Sequence, residues 1–145
     1  MEINLKAPFA YKKSIEIEAP LKKVWDLQTD IDNWRKWQRN ISFAKLHGKL
    51  EKGTVFTWKA MGVHIRSLLW DVIPHETIGW TGKSFGMHVV HVFKFEKRGD
   101  KTHVTMEESF DGWLPRLLKI FMPTFFERTM IKALQNLKVA AEKKQ

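Results

Sequence analysis

The order of its periodicities constrains this chain most. One alternating segment, Tyr11 to Glu18, leads into two short helical segments. A long run of alternating segments follows from Ile41 to Phe110. Helical spacing then returns from about Leu114 to Glu142. A half-buried strand alternates with period two and an amphipathic helix repeats every 3.6 residues, so each segment has one apolar face to cover. With many strands and one long helix, both kinds of face are buried if a curved sheet wraps the helix. That arrangement tends to leave a cavity.

The local signals are specific. Tyr11, Lys13, Ile15 and Ile17 share one strand face, and Lys12, Ser14, Glu16 and Glu18 the other. Pro20 stands where proline opens a helix, because its missing N–H has no intrahelical partner there. Leu21, Val24, Trp25 and Gln28 follow at helical spacing, and Asp30 is placed to cap a second short helix with Trp34 and Trp37 on one face. Strands are expected at Ile41–Leu46, Thr54–Ala60, Val63–Ile73, Glu76–Gly82, Met87–Glu96 and Thr102–Phe110, with Lys97-Arg98-Gly99-Asp100 as a hairpin turn. Short turns between successive strands read as antiparallel. In Val63–Ile73 the inner face is open: Val63, Ile65 and Leu69 compete with Leu68, Trp70 and Val72, and a β-bulge would decide between them. At the end of the chain Leu114, Leu117, Leu118 and Phe121 form a stripe that Pro123 interrupts. Phe126, Met130, Leu134, Leu137 and Ala141 continue it.

Composition sets bounds. The 145 residues suit one domain, 1–145, with a core over about 11–142, and 43% hydrophobic content argues against disorder. No apolar run is long enough to span a membrane, and the first residues lack a signal-peptide pattern. There is no cysteine, which excludes disulfides and a thiol nucleophile. A cytoplasmic setting is expected. The net charge of +9 raises the prospect of a polyanion partner, but the basic residues sit in scattered pairs such as Lys22-Lys23 and Lys97-Arg98. A solvated surface is expected, and no nucleic acid.

Several of these segments resemble a known family. Lys13-Ser14-Ile15-Glu16-Ile17-Glu18-Ala19-Pro20 with Val24-Trp25, then Asp32-Asn33-Trp34-Arg35-Lys36-Trp37, is similar to the opening of the polyketide cyclase/dehydrase-like branch of the START (SRPBCC) superfamily. So are Gly53-Thr54-Val55-Phe56, Gly79-Trp80-Thr81-Gly82, His91-Val92-Phe93-Lys94-Phe95 and Thr105 to Gly112. The resemblance runs from Tyr11 to Glu142. It implies an α+β helix-grip fold: a seven-stranded antiparallel sheet wrapped around a long C-terminal helix, with two short helices between the first two strands. It also implies a deep hydrophobic pocket. Members bind apolar metabolites, and some catalyse cyclisation or dehydration. These motifs mark the fold, and none matches a catalytic set.

The residues themselves supply candidates. His91 shares the parity of Met87, Val89, Phe93 and Phe95, and Glu108 that of Val104, Met106 and Phe110. Both are polar on faces that should be apolar. They read as an acid/base couple over a ligand or as a satisfied core hydrogen bond. Phe56, Trp58 and Trp80 on strands, with Phe121, Phe126 and Met130 on the helix, read as an aromatic pocket wall or as plain core. No metal spacing appears: His88 and His91 fall on opposite strand faces, and His47, His64, His75 and His103 are unrelated in spacing. No phosphate-cradling loop or serine elbow is present, so no cofactor is expected. The Trp113–Phe126 segment, apolar nearly all round with Arg116 and Lys119 inserted, reads as a lid, as a transient membrane contact, or as a helix end buried on the core or a second subunit. The expected function is binding of a small apolar or amphipathic metabolite by Phe56, Trp58, Trp80, Met87, His91, Phe93, Glu108, Phe121, Phe126 and Met130. The alternatives are a cyclase or dehydratase using His91 and Glu108, and a basic module acting on a macromolecular partner. Oligomeric state is left open.

Overall fold

Seven antiparallel strands form one sheet in the order β1-β7-β6-β5-β4-β3-β2. The computed structural model describes residues 1–144. The strands are β1 (Phe9–Ile17), β2 (Ile41–Leu46), β3 (Val55–Ala60), β4 (Val63–Ile73), β5 (Thr77–Ser84), β6 (Met87–Arg98) and β7 (Lys101–Asp111). Between β1 and β2 lie α1 (Leu21–Thr29) and a single 3-10 helix (Ile31–Lys36); after β7 come α2 (Trp113–Phe121) and α3 (Phe125–Glu142). The chain's first and last strands in sequence pair with each other, so β1 returns beside β7 and only β1 and β2 are edges. The helix-grip architecture follows: the sheet wraps α3, whose stripe Phe126, Met130, Leu134, Leu137 and Ala141 is buried throughout.

Local chemistry explains the elements. Pro20 precedes α1 with φ −62°, and its carbonyl accepts the first helical hydrogen bond from Val24 N at 3.2 Å. Asp30 does not cap the next helix by its side chain as expected. Its carboxylate accepts from the Asn33 side-chain amide at 2.8 Å, while its backbone carbonyl accepts from Asn33 N. Trp34 is buried against Phe56, Trp58 and Trp80, and its indole N–H donates to Gln28 O at 2.9 Å. This pins the two helices to the sheet.

The inner face of β4 is settled by a bulge. Ile65, Ser67 and Leu69 point inward; Trp70 is then the extra residue between the pairs Leu69↔Trp80 and Asp71↔Gly79, and Val72 turns inward after it. The polar member of that face is satisfied, since Trp58 Nε1 donates to Ser67 Oγ at 3.0 Å. On β6 the outer-face residues Val90 and Val92 are buried too. The N-terminal segment crosses the outer face there: Asn4 N donates to Ser109 Oγ at 3.0 Å, and the Met1 amine meets Asp71 at 2.7 Å.

The C-terminal stretch is broken at Pro123, as the sequence predicts, into two helices. Met122, Pro123 and Thr124 separate them, because proline cannot continue the hydrogen-bond ladder. Phe121, expected on the inner stripe, lies on α2 at 71% exposure and points away from the core. Leu114 and Leu118 hold the inward positions of that helix instead.

Candidate functional site

The core is divided. A large cluster around Trp34, Phe56, Trp80, Phe93 and Met130 is separate from a small one of Phe9, Val89, Phe110 and Phe126. A cavity of about 240 Å³ is lined from both. Its walls are overwhelmingly apolar. Trp58 and Ile65 come from β3 and β4, Trp80 from β5, His91 and Phe93 from β6, and Met106 and Glu108 from β7. Leu114 and Leu118 of α2 with Phe126 of α3 close one side.

The cross-strand register builds the polar part of the wall. Trp80 is opposite His91, and His91 is opposite Glu108. The His91 ring stacks on Trp80 at 5.1 Å between centroids, with Trp58 and Phe110 set edgewise to it. His91 Nδ1 lies 3.0 Å from Glu108 Oε1. The approach is close without making a hydrogen bond, and Nδ1 is buried with no hydrogen-bond partner. Because Nδ1 is sealed against the carboxylate, Nε2 is the ring nitrogen left to the cavity that His91 lines. Glu108 is only 3% exposed. A carboxyl so placed is costly unless it has a partner, and the imidazole is the partner at hand.

Two more buried polar atoms at this wall have no partner: Trp80 Nε1 and Gln28 Oε1. Among the described residues the other two such atoms, Ser84 Oγ and His103 Nδ1, belong to residues outside the lining. Unpaired polar groups therefore gather at the cavity. Gln38 lines it as well but is satisfied: its Nε2 donates to Ala133 O at 3.3 Å, and it accepts from Asn136 Nδ2 at 3.0 Å.

Of the residues expected from sequence, Trp58, Trp80, Met87, His91, Phe93, Glu108 and Phe126 line the cavity. Phe56 and Met130 do not; both are fully buried behind that surface in the large cluster. Phe121 is outside altogether. Gln28 is a lining residue that sequence reasoning missed. The signal was present: it is the one polar member of the α1 stripe with Leu21, Val24 and Trp25, just as His91 is on its strand. Among the described residues no group of three or more His, Asp or Glu is placed to hold a metal ion.

The rim is fixed by backbone contact. Gly86, at the β5–β6 turn, has φ +67°, and a Cβ there would meet the Trp113 ring at 2.5 Å. Gly112, before α2, has φ +118°, and a Cβ there would lie 2.3 Å from Gly86 O. Leu114 N donates to that same carbonyl at 3.1 Å. Only glycine allows this approach, and it ties α2 to the hairpin at the cavity edge.

A sheet gripping a helix around an apolar hollow defines the START-like class of pocket proteins. Residues 8–142 match the family described as polyketide cyclase / dehydrase and lipid transport, and the chain belongs to that family. Solved structures share the fold. A hypothetical protein from Helicobacter pylori superposes with TM-score 0.84 at 17% identity, over 97% of this chain and 92% of its own. The Zhui aromatase/cyclase from Streptomyces sp. R1128 gives 0.80 at 13% identity, over 92% and 93%. A START superfamily protein from Mycobacterium smegmatis gives 0.79 at 12%, over 92% and 97%. No curated protein sequence matches the chain significantly. No helix among the described residues is long and apolar enough to cross a membrane.

Proposed function

We propose that this protein binds a small amphipathic molecule in the cavity between sheet and α3, with His91 and Glu108 holding its polar part. The observation that carries the reading is an apolar hollow of about 240 Å³ with a buried imidazole–carboxyl pair in its wall. The volume exceeds the ~150 Å³ that admits benzene and lies just below the usual ~300 Å³ lower end for drug-sized ligands. One or two fused rings, or a short acyl chain, suit it. Transfer of apolar surface contributes about 25 cal/mol per Å², offset in part by ordering. The unpaired Trp80 Nε1 and Gln28 Oε1, with His91 Nε2 open to the cavity, favour a ligand with hydrogen-bonding groups over a plain hydrocarbon.

Native mass spectrometry of protein purified from its own cells tests this. A co-purifying small mass is expected, along with binding of an anilinonaphthalene sulfonate probe that the extracted ligand displaces. Protein that carries no mass and takes up no probe would end the reading.

A second reading is catalytic, a cyclisation or dehydration of a polyketide-like substrate. It is favoured by the open His91 Nε2 backed by Glu108. In that role Nε2 moves a proton at the ligand while the carboxylate steadies the imidazolium. Turnover of the extracted ligand, lost in both His91→Ala and Glu108→Gln, separates an enzyme from a carrier.

A further inference from the structure

The α2 helix has two apolar faces, and only one is covered. Leu114 and Leu118 turn to the cavity. Trp113, Leu117, Ile120 and Phe121, at spacings i, i+4, i+7 and i+8, lie together on the other side and are all exposed, Ile120 at 74% and Phe121 at 71%. Phe85, 76% exposed on the β5–β6 turn, extends the patch, with its ring set edgewise to Trp113 at 5.2 Å. Met122 adds to it at the helix end. Scattered exposed apolar residues need no explanation, but six large ones on one helix and the turn locked to it do.

From this geometry we propose that the outer face of α2, with Phe85, docks on an anionic lipid surface. The charge pattern selects this occupant. Arg116 and Lys119 flank the apolar face on the same helix, and both are exposed. Arg116 shares its charge with Asp111 at 3.1 Å, and Lys119 makes no ion pair among the described residues. An apolar face bordered by basic side chains is the pattern of a helix lying in the headgroup region. A second copy is a poorer occupant, because each chain carries a net charge of +9 and the two would repel. Docking there brings the lipid surface against the rim formed by Gly86, Gly112 and Trp113. The inference holds whatever the cavity contains.

Flotation with vesicles tests it, comparing equimolar phosphatidylglycerol and phosphatidylcholine with phosphatidylcholine alone at low salt. Binding to the anionic vesicles only is expected. Lys119→Glu should weaken it by roughly fivefold or more, since each basic group near such a surface counts for about that factor. The double variant Ile120→Ser/Phe121→Ser should abolish it while the thermal midpoint holds, because both side chains are exposed. Absent binding to anionic vesicles overturns the proposal, as does binding that the double variant leaves intact. Concentration-dependent dimerisation in sedimentation, lost in the double variant, also overturns it by assigning the face to a second copy.

Discussion

His91 Nδ1 faces Glu108 Oε1 at 3.0 Å across adjacent strands, and the two residues are direct partners in the β6–β7 register. Among the described residues neither side chain makes a hydrogen bond, so this charge contact is the one each has. If the pair orients a ligand, Glu108→Gln should lower affinity by about tenfold or more, the worth of one charge-assisted hydrogen bond. The amide keeps the carboxyl's shape, so the thermal midpoint should hardly move. Titration with the co-purified ligand checks the first point and calorimetry the second. Equal affinity in the two proteins would remove Glu108 from the site.

The same pair predicts a non-additive result in stability. His91→Phe strips Glu108 of the one charge partner it has among the described residues and should cost about 1–3 kcal/mol. Replacing both, in His91→Phe/Glu108→Leu, removes the orphan and should recover most of that loss. Denaturant unfolding of the single and double variants measures it. A double variant weaker than the sum of the singles would contradict the account.

Phe56 and Met87 separate packing from lining. Phe56 is fully buried behind the wall, in edge and tilted contact with Trp34, Trp58 and Trp80. Met87 is half-buried at the rim and faces the cavity. Phe56→Ala should cost about 3–5 kcal/mol of stability. Met87→Ala should cost far less and instead change probe affinity or release rate. Equal stability losses in the two variants would mean that the rim is as tightly packed as the core.

Much of this arrangement is legible in the chain, and the exceptions have physical causes. Period-two alternation reports which residues share a strand face, so the inward placement of His91 and Glu108 can be read from their neighbours. The stripe from Phe126 to Ala141 is equally plain. Phase, however, does not survive a break. One stripe running through Pro123 would carry Phe121 inward, but the turn at Met122–Thr124 rotates α2, and Phe121 faces outward. Parity fails likewise at Trp70, where one extra residue flips the rest of β4. Val90 and Val92 are buried by the N-terminal residues, a contact between distant parts of the chain that no local pattern encodes. Periodicity also cannot separate a residue lining a hollow from one just behind it. Phe56 and Trp58 share a face, yet only Trp58 reaches the cavity.

The rim junction makes a backbone prediction. At Gly112 an added Cβ would sit 2.3 Å from the Gly86 carbonyl oxygen, whereas at Gly53, also left-handed with φ +94°, it would meet nothing within 4 Å. Gly53→Ala should therefore cost only the conformational penalty, about 1–2 kcal/mol. Gly112→Ala adds a backbone clash and should cost more, while loosening α2 from the hairpin. Faster amide exchange at Leu114, whose N–H donates to Gly86 O, would accompany it. Similar losses at both glycines would show that the close approach is not required.

Tyr11 offers a pH test, since it is the chain's single tyrosine and its ionisation can be followed alone. Burial raises its phenol above the ordinary value of 10.0, and the nearby Glu127 carboxylate pushes in the same direction. Lys13 holds that carboxylate at 3.1 Å, bridging β1 to α3. A group whose folded value lies above its unfolded one contributes stability in full below the unfolded value. That contribution is lost as pH rises through the folded value. The protein should therefore begin to lose stability above about pH 10, with the tyrosinate absorbance appearing later than in the unfolded chain. Glu127→Gln should lower the midpoint without returning it to the ordinary value, because burial is the larger cause. A wild-type midpoint at or below that of the unfolded chain would show that β1 leaves this phenol in water.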